Sequence, residues 1–310
     1  MTYMTYKRRK SMQPVAEPEV EPATRKVFDI YTDHFGMKER PFSLLPDPDF
    51  LYWGSQHKRA YAMLEYGVLT RAPITLITGE VGTGKTTLLQ QLMRDLENDL
   101  TVGLVSNAHG DRGELLHWVL MSLNQKLDAN ATYVELFSAF QEFLIAEYAR
   151  GKRVVLIFDE AQNMTRESLE ELRMYTNINA NKDELLQLIL IGQPELRDIV
   201  GRADMTQFAQ RVSSSFFLTH MDAPTVEQYI RHRLKVAGAR DDLFGKTAAS
   251  LIHRATEGVP RLVNQLCDRT LVYAFQSGQS QIVAATVQRV LDEGLFLGVT
   301  AQSPHKGFHE

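Results

Sequence analysis

Cysteine is almost missing from this sequence. Cys267 stands alone among 310 residues, which excludes an internal disulfide framework and suits a reducing compartment. Long hydrophobic runs are missing too: the richest, Leu185 to Ile191 (LLQLILI), falls well short of the roughly 18–20 apolar residues of a membrane helix. The opening MTYMTYKRRK has the positive charge of a secretion signal, but the polar, proline-rich SMQPVAEPEVEPATRK after it supplies no apolar segment. These absences predict a cytoplasmic protein with no integral membrane segment, peripheral at the inner membrane only through a partner. A net charge of −4 gives no global attraction to nucleic acid. The nine histidines lack paired spacing and cysteine partners, so no metal site of the zinc type is expected.

What is present reads as a soluble globular chain, 44% hydrophobic and 23% charged, long enough for a large domain and a smaller one. Residues 1–26, with KRRK and Pro14, Pro18 and Pro22, cannot bury enough apolar surface to offset their ordering entropy and read as a disordered tail. Residues 297–310 read as a second, short tail. Five short apolar runs lie between them: Ile74 to Thr78, Thr101 to Val105, Val154 to Phe158, Leu188 to Ile191 and Phe216 to Leu218. Their near-continuous hydrophobicity predicts strands covered on both faces, as in a parallel sheet. Helical patterns separate them at Lys85 to Leu96, Arg112 to Leu127, Thr132 to Arg150 and Arg166 to Tyr175. The expectation is a three-layer α/β domain over residues 27–218 with a five-stranded parallel sheet. After Thr219 the strands stop. Residues 219–296 read as a small all-helical lid: Thr225 and Gln228 are placed for a capping box, and Pro260 for a first helical position.

The sharpest motif is Gly79-Glu80-Val81-Gly82-Thr83-Gly84-Lys85-Thr86, followed by Thr87. It matches G-x-x-x-x-G-K-[ST] between a strand and a helix, the context in which backbone amides and a helix N-terminus cradle a polyphosphate. ATP is the expected ligand, with Lys85 reaching the β/γ-phosphates and the Thr86 hydroxyl on Mg²⁺. Val154 to Phe158 then ends in Asp159-Glu160, two carboxylates delivered to the edge where the phosphate loop opens. Asp159 is the candidate for holding Mg²⁺, and Glu160 for general base toward the attacking water. An acid pair that merely ends a strand competes with this assignment; a position about 75 residues after a sound phosphate loop favours the catalytic one. Gln193, at the tip of the next strand, is the candidate for orienting the same water, against a plain turn amide.

Taken in order, further segments resemble a known family. They are Phe35-Gly36-Met37; Pro41-Phe42-Ser43 through Pro46-Asp47-Pro48 to Tyr52; His57 with Leu64-Glu65-Tyr66-Gly67; and Asp159-Glu160-Ala161-Gln162. Gly192-Gln193-Pro194-Glu195-Leu196, Gln210-Arg211 and Gly258-Val259-Pro260-Arg261 complete the set. Over residues 27–295 the chain is similar to the AAA+ ATPases of the general secretion pathway A (ExeA) and MshM type. The resemblance implies a P-loop AAA+ fold and a base pocket formed with Phe42 to Tyr52. It also implies an Arg211 that reaches a neighbouring subunit's site and an Arg261 in the lid that senses nucleotide. Both arginines suit a phosphoryl transition state that needs positive charge from outside the loop. Arg202 competes with Arg211 for the trans role. ExeA resembles a longer architecture with a membrane helix and a wall-binding domain after the ATPase, so a direct peptidoglycan role does not carry over with the resemblance. Asn177 to Asn181 is less acidic than the family pattern.

The functional expectation is therefore an ATPase whose ATP-dependent homo-oligomer serves membrane-associated assembly machinery: type II secretion, a pilus or exopolysaccharide export. The alternative is a DNA-associated regulator of the transposition target-selector type, motivated by KRRK and by Arg231, His232, Arg233 and Lys235 on one lid helix. A third reading is a nucleotide-gated adaptor with negligible turnover.

Overall fold

The computed structural model describes residues 31–96, 99–106, 114–126, 128, 130–180, 183–240 and 242–296. Both expected tails, the KRRK run and Asn181 lie outside them. In chain order the elements begin with α1 (Thr32–Phe35), α2 (Ser55–Leu69), β1 (Ile74–Gly79), α3 (Lys85–Asp95), β2 (Leu100–Ser106), α4 (Glu114–Ser122) and α5 (Tyr133–Ala149). They continue with β3 (Arg153–Asp159), α6 (Arg166–Tyr175), β4 (Asn179–Ala180), β5 (Asp183–Glu184), β6 (Leu186–Gly192), α7 (Pro194–Val200), α8 (Thr206–Ala209) and β7 (Val212–Leu218). Four helices close the chain: α9 (Ala223–Val236), α10 (Lys246–Thr256), α11 (Pro260–Gln276) and α12 (Ala284–Asp292).

The sheet is five-stranded in the order β2-β3-β6-β1-β7, and every pairing in it is parallel. Hydrophobic pattern sets this order. β1 and β6 are buried at every position and β3 at all but its first, whereas β2 and β7 mix buried and exposed residues and form the edges. Alternation divides the inward strands between two cores. Leu76, Leu156, Phe158, Leu188 and Leu190 join one cluster with Leu116, Leu120, Phe140 and Leu172 of α4, α5 and α6. Ile77, Val155, Ile157, Ile189 and Ile191 face the opposite cluster with Leu64 of α2 and Leu88 and Leu92 of α3. The result is the expected three-layer α/β arrangement.

The helical end has its own core, built on Val226, Ile230, Ile252, Leu266, Leu271 and Val287. Tyr31, Met37 and Phe42 belong to this core and not to the sheet's. Lys38 N–H donates to Ala237 at 2.8 Å, and Arg40 pairs with Asp268 at 2.7 Å. The segment before α2 is thus a strap across the lid, although the chain order placed it with the α/β part.

Local expectations meet three corrections. α9 is capped by Asp222, whose carboxylate accepts from Thr225 N–H at 2.9 Å. Gln228 caps nothing and accepts instead from the Tyr52 hydroxyl at 2.6 Å, because Pro224 moves the helix start upstream of Thr225. The helix expected to run to Leu127 ends at Ser122, where Asn124 adopts φ +56°. α2 and the small antiparallel β4–β5 hairpin were not foreseen at all.

Candidate nucleotide site

The carboxyl ends of β1, β3 and β6 open on one cleft with a cavity volume of about 180 Å³. Val81, Gly82, Gly84, Lys85, Thr86 and Thr87 line one end with Glu160, Gln193 and Arg261. Gly79, Glu80, Thr83 and Asp159 do not line it, but each is hydrogen-bonded to a residue that does: Gly79 and Glu80 to Lys85, Thr83 to His57 and Asp159 to Thr86. Gly82 and Gly84 take φ +78° and +94°, a left-handed conformation that side chains resist, and the loop doubles back here. Gly84 caps α3, so the first free amides of that helix face the cleft end.

Lys85 is nearly buried and donates to the carbonyls of Gly79 and Glu80 at 2.7 and 2.9 Å. Burial lowers its pKa, opposed by the charges of Glu160 and Asp159. Burial likewise raises that of Asp159, while the Glu160 N–H donates to its Oδ1 at 3.0 Å and works the other way. Thr86 Oγ1 donates to Asp159 Oδ2 at 3.3 Å, so two oxygen ligands of the kind a hard cation takes stand side by side. Gln193 Nε2 donates to Glu160 Oε2 at 3.2 Å.

The two arginines part company. Arg261 opens α11 after Pro260, and its backbone N–H donates to the Gly82 carbonyl at 3.2 Å, joining lid to loop. Arg211 does not line the cleft. It precedes β7, donates to Asn177 Oδ1 and stands 3.7 Å from Glu184 Oε1 of the hairpin. Arg202, its competitor, is paired with Asp204 at 3.1 Å.

The far end of the cleft is aromatic and comes from three separate segments. Ser43, Leu44, Leu45, Pro46, Asp47, Phe50, Leu51 and Tyr52 form one wall, and Tyr229, Arg233 and Asn264 of the lid form the other. Phe42 is a correction to the expected wall: it is 1% exposed and packs edge-on against Phe244 in the lid core. The basic row of α9 is a second correction. Arg233 is 7% exposed, lies 4.8 Å over the Phe50 ring, and donates to the Pro41 carbonyl and the Tyr229 hydroxyl. Arg231 pairs with Glu227 at 2.9 Å, and the His232 ring sits against Tyr52 at 5.6 Å, where burial lowers its pKa. A hydrophobic strap had to cover this helix, and its amphipathic phase turned Arg233 inward.

Two site residues had a place in the motif pattern but no assigned role. His57 of α2, buried, meets the Thr83 carbonyl at 3.0 Å. A carbonyl only accepts, so Nε2 carries the proton, and burial lowers the ring's pKa. Gln162 is the other, and its bonds to Glu160 and Gln193 span two strands.

The comparisons with known proteins agree with this architecture. An AAA domain model matches residues 69–200. General secretion pathway protein A of Aeromonas hydrophila is 37% identical over 272 residues, covering 86% of this chain and 50% of that protein. The chain thus spans about half the length of this curated relative. Among solved structures, the Aeropyrum pernix ORC2 protein in its ADPNP–ADP complexes superposes with a TM-score of 0.62 at 17% identity, over 83% of this chain and 71% of that one. Drosophila ORC bound to DNA gives 0.64 at 14% identity, over 93% and 70%. At such identities the likeness concerns the fold alone. No helix among the described residues is long and apolar enough to cross a membrane.

Proposed function

The chain belongs to the AAA+ P-loop proteins of the general secretion pathway protein A type, and on that premise we propose that it binds and hydrolyses Mg-ATP in the cleft between sheet and lid. The observation that carries this is the meeting of Lys85, the Thr86–Asp159 pair and Glu160 at one end of a single cleft. The loop amides from Gly79 to Thr87 and Lys85 hold the phosphates, and the aromatic end takes the base. Thr86 and Asp159 would hold Mg²⁺, which would supply positive charge to the phosphates. Glu160 takes a proton from water as its oxygen attacks the γ-phosphorus and the bond to ADP breaks; Gln193 orients that water. Arg261 adds charge from the lid.

Glu160→Gln tests this directly. The expected result is continued ATP binding with turnover reduced roughly 10²- to 10⁴-fold, the usual worth of a general base. Wild-type turnover in that variant would remove Glu160 from the chemistry.

Arg211 stands apart from its own cleft, which supports a role in a neighbour's. ATP then drives assembly of the chain into a homo-oligomer, and hydrolysis is coupled to the assembly or regulation of an envelope system such as type II secretion, a pilus or exopolysaccharide export. The protein would work in the cytoplasm, peripheral at the inner membrane. Light scattering with a slowly hydrolysed ATP analogue checks the oligomer: the wild type gains mass, whereas Arg211→Ala binds nucleotide and stays small. A monomer in both cases defeats the trans role. The DNA-associated alternative loses its main structural motive with Arg233 buried and Arg231 paired.

A further inference from the structure

Glu160 ends β3 in an uncommon way. Its backbone takes φ +58°, ψ +37°, left-handed for a residue with a full side chain, and a short 3₁₀ turn over Ala161–Asn163 follows. The kink brings the Gln162 side chain back over Glu160. Its Nε2 donates to Glu160 Oε2 at 2.6 Å, the same oxygen that accepts from Gln193 Nε2. Its Oε1 accepts from the Gln193 backbone N–H at 2.9 Å. One amide thus joins the tips of β3 and β6, and its orientation is fixed, since a flipped amide would set oxygen against carboxylate and N–H against N–H. The slot for it depends on Gly192. A Cβ there would come within 3.0 Å of Gln162 Oε1 and 2.8 Å of Leu196 Cδ2.

From this geometry we infer that Gln162 is a positioning residue for hydrolysis. It holds the Glu160 carboxylate by one oxygen, leaves the other to accept the proton of water, and ties both to the backbone of Gln193. The base and the water-orienting amide then keep one mutual geometry. The inference rests on the assignment of Glu160 as general base, and it places the control of that base within β3 and β6 of the same subunit.

The test is a kinetic cycle on the full chain with Gln162→Met, Gln162→Glu, Glu160→Gln and the Glu160→Gln/Gln162→Met pair. Gln162→Met keeps the volume and loses both bonds. Its kcat should fall roughly 10- to 100-fold, the scale of a lost hydrogen bond to a charged group, with KM for ATP within about twofold of wild type. Gln162→Glu keeps the acceptor for Gln193 but sets carboxylate against carboxylate, and should lose at least as much kcat. Added to Glu160→Gln, the Met substitution should cost nothing further in single-turnover rate, because the group it positions is gone. Wild-type kcat in Gln162→Met overturns the inference, as does a KM that rises in step, or a loss that persists undiminished beside Glu160→Gln. Full turnover in Glu160→Gln alone would instead defeat the assignment of the base, and this inference with it.

Discussion

The two ends of the cleft are built on different plans. At the phosphate end one stretch, Val81 to Thr87, supplies most of the wall, and the tips of β3 and β6 add the carboxylates and amides. At the aromatic end no two of Phe50, Tyr229 and Asn264 share a secondary-structure element, and a buried cation over a ring helps hold them together. The first end is a local object that a strand-to-helix corner produces wherever that loop occurs. The second exists only when the strap, α9 and α11 dock. Chemistry should therefore reside in the first, and affinity together with lid closure in the second.

Lys85→Ala probes the phosphate end and carries the largest expected effect. Lys85 donates to Gly79 and Glu80 carbonyls, so the loop is held in part by this side chain. Its removal takes away both that bracing and the charge opposite the phosphates. Loss of a charge-assisted contact of about 1.5–3 kcal/mol predicts ATP affinity weaker by at least tenfold, with turnover falling below detection. Equilibrium binding of a fluorescent ATP analogue beside a phosphate-release assay would read both.

Arg233→Met should act on the other end in a different pattern. The thioether chain still covers the Phe50 ring, but the Pro41 carbonyl and the Tyr229 hydroxyl lose their donor. Stability should drop by about 1–3 kcal/mol, the cost of stranding buried polar groups. KM for ATP should rise several-fold while kcat at saturation stays near wild type. If kcat falls as far as KM rises, the two ends are one cooperative unit and the contrast drawn above fails.

The same division explains what the sequence discloses. Every strand of the sheet was legible because each holds a short run rich in apolar residues, with β1, β3 and β6 buried almost throughout, and the loop motif sat at the corner they imply. Gly79 to Thr87, Asp159, Glu160 and Gln193 come together as their order along the strands requires. The strap was harder. Phe42 reads as pocket from its motif, yet a phenylalanine one residue before Ser43 can face either core or cleft, and only the docked lid decides. Arg233 reads as surface because charge usually does; the partners that bury it, Phe50 and Pro41, are remote in sequence. Nor does periodicity mark Gln162, whose role depends on a left-handed Glu160.

His57 belongs to neither end and gives the smallest and finest test. It reaches the loop from α2, so the phosphate end is local in its chain path but not in its support. Burial lowers the His57 pKa in the folded protein below the 6.5 of an unperturbed ring. The sign follows: beneath about pH 6.5 the unfolded chain takes up a proton that the folded site resists, so stability falls as pH falls, by at most about 1.4 kcal/mol per pH unit from this group. Above that pH both states are neutral here and the contribution vanishes. His57→Gln can still present an N–H to the Thr83 carbonyl and cannot titrate. Thermal midpoints of wild type and variant should therefore agree near pH 7.5, and the variant should lose less by pH 5.5. Parallel curves would mean that the loop is held without this histidine, and that the phosphate end is as self-contained as its sequence makes it look.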